Sequence, residues 1–386
     1  MNQERKRILE MVQNGKLSAQ EAIILLEALE SDLVDKAVSE QSAVSEVEDK
    51  VQTVDSEPNQ DDKNEKSKEK HENQNEDSFY SQLENAGERI FDFVSNALRK
   101  IKHIDLQFNQ SVEIPHVFQQ ADSDIGRIDV DVANGPVKII TWDQSEVRVE
   151  CQAKVYRSED REDAKKYFLE NTIFSIDNGL FCFATQSKWM KIETVIYIPK
   201  KQYEMLKVRI FNGGLSGENL HCDKLSVKTT NGKIELSHVE GKNFLVETVN
   251  GQIKLENSNA NQLEAETVNG TVEVSGIFDN VKLQSFNGNI ACKLPELGTN
   301  HLEAKAVTGN INLTLPDSAT IDGDVRSNLG NYKLDLDGID VMHEKKEIIQ
   351  KQVKFKRTGS DERVIHVLAD TKTGSVFVGK VESNGV

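Results

Sequence analysis

The sequence predicts a mainly β protein, a parallel β-solenoid with short helical segments ahead of it. Three observations predict it. Asn-Gly pairs recur with their glycines at Gly213, Gly232, Gly251, Gly270 and Gly288, in steps of 19, 19, 19 and 18 residues. Around each pair, apolar residues alternate with Lys, Glu, Gln and Asn, the period-two pattern of strands with one wet face. Positions at equal offsets from each glycine hold like residues in successive units. A meander of hairpins has no need of that likeness, whereas a solenoid does, because each coil lies on the one before and like positions stack.

The totals narrow the function classes. A chain of 386 residues is long enough for two or three domains. Its 64 acidic and 47 basic side chains leave a net charge of −17. Such an excess repels phosphate backbones, which argues against nucleic acid as a partner. Cys151, Cys182, Cys222 and Cys292 form no CxxC pair and have no His at ligand spacing, so they read as reduced, space-filling thiols. No apolar run approaches the roughly 20 residues of a membrane span. The opening "MNQERKRILEMVQNGKLS" has no signal-peptide core. The expectation is a cytoplasmic protein, peripheral to the membrane at most; display at the cell surface without a standard signal is the alternative.

Residues 1–31 read as a helical hairpin. Ile8, Leu9 and Val12 share one face of the first helix, and Gly15 stands where a left-handed residue would end it. Ser18 caps the second helix and Glu21, three later, completes a capping box. Ala22, Leu25, Leu26 and Leu29 form its apolar stripe. So small a hairpin buries little surface alone. Ile8, Val12, Leu17, Leu25, Leu26 and Leu29 are therefore the candidate docking residues, for a partner or for a second copy of the chain in a homo-oligomer.

Residues 32–77 contain "SEPNQDDKNEKSKEKHENQNED", which has no aromatic and almost no apolar residue. Such a segment cannot offset its chain entropy by burial and reads as a disordered acidic linker. Residues 78–103 return to helical spacing, with Phe79, Leu83, Ala86, Ile90, Val94, Ala97 and Ile101 on one face. Arg99, Lys100, Lys102 and His103 complement the helix dipole in its last turn. Two roles compete for this amphipathic helix: covering an open end of the β-domain, or membrane contact through residues 79–102. Glu84, Glu88 and Asp92 on the polar face weigh against the membrane.

Residues 104–381 carry the repeat. Seven before each glycine stand Leu206, Leu225, Phe244, Leu263, Val281 and Leu302; two after stand Leu215, Ile234, Ile253, Val272, Ile290 and Ile311. Asn recurs directly before the glycine, and Thr229, Thr248, Thr267 and Ser285 stand three before it. Each set would form a ladder in a stack. The glycines are expected to supply a positive φ at the turn. Thr308-Gly309 and Leu329-Gly330 continue the series. The same template finds outlying copies around Asn134-Gly135, Asn178-Gly179 and Thr373-Gly374. "RSEDREDAKKYFLEN" reads as an inserted surface helix, and "MHEKKEIIQKQ" as a second insertion.

Little of the chain points to catalysis, and nothing calls for a cofactor or a metal. Asp322/Asp324 and Asp335/Asp337 are alternate carboxylates of the kind a glycosidase pairs, but a solvated strand face looks the same. "DLDGID" lacks the full spacing of a calcium loop. Neither a Gly-x-Ser-x-Gly elbow nor a Walker-type loop is present. Trp142 and Trp189 lie near strand ends, where they would stack on sugars or simply cover an edge.

The segment "RILEMVQNGKLSAQEAIILLEAL" resembles the SHOCT-like helical module that opens the YvlB-like and LiaX-like proteins of Gram-positive bacteria, and the Asn-Gly strand repeat resembles their adhesin-type β-strand repeat domain. The resemblance covers both ends of the chain and leaves out the linker. It implies a non-enzymatic role in the cell-envelope stress response. The helical module would sense cationic antimicrobial peptides, and the repeat domain would contact membrane-associated partners of the phage-shock-C or Lia type. No catalytic residue belongs to that pattern. The alternative is a carbohydrate-binding adhesin or a polysaccharide-active β-helix protein.

Overall fold

The computed structural model describes residues 111–121, 124–347 and 349–381, which form 23 strands and one helix. The expected hairpin over 1–31, linker over 32–77, helix over 78–103 and the start of the repeat at 104–110 lie outside them.

The N-terminal part contains β1 (Ser111–Gln120), β2 (Arg127–Asn134), β3 (Val137–Trp142), β4 (Val147–Tyr156), α1 (Arg161–Glu170), β5 (Thr172–Asp177), β6 (Leu180–Thr185) and β7 (Met190–Pro199). The regular coils follow: β8 (Gln202–Asn212) with β9 (Leu215–Glu218), β10 (His221–Asn231) with β11 (Ile234–Ser237), then β12 (Glu240–Asn250). In β13 (Ile253–Asn269) and β14 (Val272–Asn287) the short strand of one coil runs on into the long strand of the next. Next come β15 (Ile290–Lys293), β16 (His301–Thr308) and β17 (Ile311–Leu315). The last part holds β18 (Thr320–Ser327), β19 (Tyr332–Asp335), β20 (Ile339–Lys346), β21 (Lys351–Arg357), β22 (Val364–Thr371) and β23 (Val376–Lys380).

The stacked, parallel architecture read from the repeat is the one observed. Long strands pair in parallel to make one wall, and short strands after each Asn-Gly make the other. The pairing registers the sequence columns: Leu206 faces Leu225, Leu225 faces Phe244, Phe244 faces Leu263, and Leu263 faces Val281. These inward columns, with Val208, Val227, Val246 and Ala265, are buried between the walls beside Ile234, Ile253 and Val272 of the short strands. Two periodicities are therefore superposed. Alternation along each strand selects the inner face, and the coil length brings like residues into contact, so one apolar interior runs along the stack.

The ends depart from the sequence reading. Asn178-Gly179 is not a coil turn. β5 and β6 are antiparallel, and Asn178 (φ 47°) and Gly179 (φ 73°) close a tight hairpin between them, the primed turn that Asn-Gly favours. Only β6 joins the stack, parallel to β2, with Phe181 against Ile128 and Phe183 against Val130. The inserted helix is present as α1. Asp160 caps it by accepting from the Glu162 and Asp163 amides, and Ala164 and Phe168 are buried beneath it. Phe168 meets Phe118, whose ring stacks on Phe174 at 5.4 Å. Helix and aromatic rings together close the N-terminal end.

At the other end the order of coils is exchanged. The series expects the coil of Leu329-Gly330 to follow that of Thr308-Gly309. Instead β16 pairs with β22, and β22 pairs with β18; likewise β17 pairs with β23, and β23 with β19. The unit at Thr373-Gly374 slots between them. The reason is that β18 also takes β21 antiparallel on its other edge, so its coil can only be the last. Spacing tells which units exist, not which edge each one meets. The second insertion is the turn of the β20–β21 hairpin, which closes this end.

Candidate functional site

The turn edge is built by close approach. A Cβ added to Gly251 would lie 2.0 Å from the Gly232 carbonyl oxygen, and one on Gly232 would lie 2.1 Å from that of Gly213. Gly270 and Gly288 meet the carbonyls of Gly251 and Gly270 in the same way, at 1.9 Å each. The expected positive φ is found at Gly213, Gly270 and Gly288 (153°, 157° and 158°) but not at Gly232 and Gly251; at all five the preceding coil's backbone occupies the Cβ position. Further left-handed corners lie at Asn219, His238 and Asn257, six after successive turn glycines. The sequence reading missed these corners, whose signal is a recurring polar residue.

The two expected ladders are present. Asn231 donates from Nδ2 to Asn212 Oδ1 at 2.8 Å, Asn250 to Asn231 at 2.9 Å and Asn269 to Asn250 at 2.8 Å. Thr229, Thr248, Thr267 and Ser285 each donate to the turn-glycine carbonyl of the coil before. The turns are thereby locked to one another, each polar group satisfying the next.

The outer face of the long-strand wall carries charge. Four residues before the turn glycines stand Arg209, Lys228, Glu247, Glu266, Gln284 and Lys305. Lys228 pairs with Glu247, and Lys282 Nζ lies 2.6 Å from Glu264 and 3.2 Å from Glu266. Glu247 and Glu266 are nevertheless only 3 % and 2 % exposed. Burial pushes the Glu266 carboxyl up to about 7; Lys282 opposes the shift and Glu264 adds to it. Beside this column a groove of about 510 Å³ crosses the coils, bordered by Lys224, Asn243, Phe244, Gln262 and His301.

The Glu266 shift has a sign. Its folded pKa lies above the ordinary 4.5, so the neutral form favours the fold. That contribution is complete below about pH 4.5 and is lost as pH rises through 7. Glu266→Gln is therefore expected to match the parent in melting experiments at pH 4 and to exceed it by about 1–3 kcal/mol at pH 8.5. A difference independent of pH would contradict the assignment.

The other sequence candidates are the alternate carboxylates, the thiols and the two tryptophans. Asp324 is held by Arg326 at 2.6 Å and accepts from Gln352 at 2.8 Å; burial alone would raise its pKa, but these bonds leave it lowered. Asp322 lies 4.0 Å from His366 Nδ1, Asp335 is 3.8 Å from Lys333, and Asp337 is 2.6 Å from Lys380. Asp322 and Asp324 share the outer face of β18 and line one pocket with His301, Glu303 and His366, while Asp335 and Asp337 face Lys333 and Lys380 separately. Among the described residues no group of three His, Cys, Asp or Glu side chains is placed to hold a metal ion. Burial pushes the thiols of Cys151, Cys222 and Cys292 up to about 12, which keeps them protonated and inert. The Trp189 ring is covered by the Arg157 guanidinium at 3.5 Å, and Trp142 leans on Tyr197 while donating to the Glu146 carbonyl. The docking candidates Ile8, Val12, Leu17, Leu25, Leu26 and Leu29 lie outside the described residues.

The profile of the family described as Toastrack DUF4097 matches residues 125–372, and that of a SHOCT-like domain matches residues 3–32. The uncharacterized protein YvlB of Bacillus subtilis (strain 168) is 39 % identical over 383 residues, which cover 97 % of this chain and 98 % of that one. Solved structures with similarity include a candidate adhesin from Bacteroides fragilis, 12 % identical, covering 69 % of this chain and 97 % of that one with a TM-score of 0.34. Another is a candidate lipid-binding protein from Parabacteroides distasonis, 11 % identical, with the same coverages and a TM-score of 0.37.

Proposed function

The chain belongs to the Toastrack DUF4097 family, and we propose that it acts without catalysis in the cell-envelope stress response, as a rigid platform joined to a docking module. The observation that carries this reading is the continuous lock between coils: Asn side chains bond to Asn side chains, and Thr or Ser hydroxyls to turn carbonyls, rung after rung. Such a body resists deformation and presents an extended surface for binding. Of the candidate carboxylates on it, Asp324 is engaged by Arg326 and Asp337 by Lys380.

The SHOCT-like segment supplies the docking module, with Ile8, Val12, Leu17, Leu25, Leu26 and Leu29 as the residues that engage the partner. The partner is either a membrane-associated stress-response protein of the phage-shock-C or Lia type or a cationic peptide. The net charge of −17 favours cationic peptides by long-range attraction. We place the protein on the cytoplasmic side, peripheral to the membrane. Among the described residues no helix is long and apolar enough to cross one.

Affinity capture from membranes with the full chain, and with a chain lacking residues 1–31, tests this reading. The full chain is expected to retain a membrane protein or a cationic peptide that the shortened chain loses, while both keep the β-domain's far-ultraviolet spectrum. Equal capture by both chains, together with an unchanged response of a deletion strain to antimicrobial peptides, would refute it.

A further inference from the structure

Two histidines far apart in sequence stand side by side on the outer face of the long-strand wall. His301 on β16 pairs in register with His366 on β22, and His366 pairs in register with Asp322 on β18. The three therefore share one height on three adjacent strands. The two imidazoles lie nearly parallel, with ring centroids 5.2 Å apart and planes 19° from each other. The Asp322 carboxylate lies 4.0 Å from His366 Nδ1, too far for a hydrogen bond. These two contacts are the only side-chain interactions of the two histidines among the described residues. The side chains of His366 and Asp322 are 54 % and 45 % exposed, and His301 is exposed as well. With Glu303 and Asp324 they line a pocket of about 350 Å³.

The neighbouring carboxylates are already engaged. Glu303 lies 2.6 Å from Lys305 Nζ, and Asp324 is tied to Arg326 and Gln352. Asp322 has no ion pair with a lysine or arginine among the described residues; its partner is His366. One level of the wall thus presents two imidazoles and one carboxylate that no cation holds. Imidazole is a ligand for zinc, copper and nickel, whereas magnesium and calcium call for oxygen donors. The net charge of −17 draws cations to the surface.

We propose that His301 and His366, with Asp322 as third ligand, bind one Zn²⁺ ion across these three strands, with water in the fourth position. The three side chains do not surround one point as they stand, and the adjustment needed is small. Zn–N bonds of ~2.0 Å set two ring nitrogens roughly 3–4 Å apart, against ~4.8 Å between strands. Rotation of exposed side chains about χ1 and χ2 closes that gap. The backbone beneath them stays in place: the His366 amide donates to the Asn300 carbonyl at 2.8 Å, and the flanking Leu302, Ile321, Ile365 and Val367 are buried. The histidines meet only because the coil of Thr373-Gly374 slots between its two neighbours, which is why no ligand spacing marks them in the sequence. An ion bound there bridges the out-of-order coil to both neighbours. It binds the folded chain alone and stabilises these last coils.

Calorimetric titration of the full chain with zinc chloride at about pH 7.5, where ordinary imidazole is mostly unprotonated, tests the site. The parent is expected to bind Zn²⁺ and to melt at a higher temperature with the metal than in EDTA. His301→Ala and His366→Ala are each expected to weaken that binding at least about tenfold, and Asp322→Asn to weaken it less. His301→Ala/His366→Ala is expected to lose both the binding and the melting shift while melting like the parent in EDTA. Magnesium is expected to produce neither effect. A parent that binds no Zn²⁺ would overturn the proposal. So would a double variant that keeps the parent's affinity, which assigns the metal to other histidines, or an equal response to magnesium. Should the double variant melt below the parent in EDTA, pulsed electron paramagnetic resonance of the Cu²⁺-loaded chain decides: two coordinated imidazoles are expected in the parent and one in His366→Ala, and the same count in both overturns the site.

Discussion

Gly251→Val is expected to destabilise the β-domain by about 4 kcal/mol or more, at the upper end of what single substitutions do. The cause is steric and local. The Cβ would stand 2.0 Å from the carbonyl oxygen of Gly232 and 3.1 Å from the Thr248 hydroxyl. That carbonyl accepts from Thr248, and the Gly251 amide donates to Asn269 O at 2.9 Å. The coil therefore cannot shift outward without breaking the ladder on both sides. Gly251→Ala carries the same Cβ and is expected to cost nearly as much, whereas Gly338→Ala meets nothing within 4 Å and pays only for its φ of 71°, on the order of 1 kcal/mol. Denaturant unfolding of the three variants separates them. Equal small losses would mean that the rungs are not as close as described.

Phe355→Ala is expected to cost about 3–5 kcal/mol, the range for emptying a buried aromatic site, and to promote association. Phe355 is fully buried on β21, and its ring fills the space over Gly323, where an added Cβ would lie 2.3 Å from it. An aromatic over a glycine in the neighbouring strand holds that strand's register. Arg357, two residues on, donates to the backbone carbonyls of Asp317, Ala319 and Asp337. Together these residues clamp the hairpin over the last coil. Once the aromatic is removed, the final rung offers an unprotected edge. Sedimentation velocity is expected to show association of the variant under conditions where the parent does not associate. Unaltered stability would show that the hairpin is dispensable to the end of the stack.

The legible part of the fold was the part fixed by repetition. Leu206, Leu225, Phe244, Leu263 and Val281 could be aligned from spacing alone, and each pair of neighbours in that series is a pairing partner in the structure. The Asn and Thr ladders were legible for the same reason, since equal offsets become equal heights. Three features were hidden. The exchange of the last two coils depends on which edge β18 gives to β21, and spacing carries no information on edges. Asn178-Gly179 has the sequence of the coil turns, but its φ values are those of a hairpin; a local motif of two residues serves both. The buried charge at Glu247 and Glu266 was hidden because alternate charged residues normally mark a solvated face. The opposed signs of Lys228 and Glu247 in successive coils were the one available hint. On the functional side, the sequence put its docking residues in 1–31 and its carboxylate candidates on β18 and β19. In the structure Asp322 and Asp324 line one pocket on β18, with Asp324 tied to Arg326, and Asp337 is tied to Lys380.

The stacked order of the coils underlies the platform, and one cross-linking measurement reaches it directly. Asn243 and Gln262 are exposed and face each other in register on β12 and β13, about 4.8 Å apart as neighbours in a parallel pair. With Cys182 replaced by serine, Asn243→Cys/Gln262→Cys is expected to cross-link rapidly within one chain, and Asn243→Cys paired with a cysteine at position 258 is expected not to. A hairpin closed at Asn250-Gly251 would give the opposite result, joining 243 to 258 and leaving 243 and 262 apart.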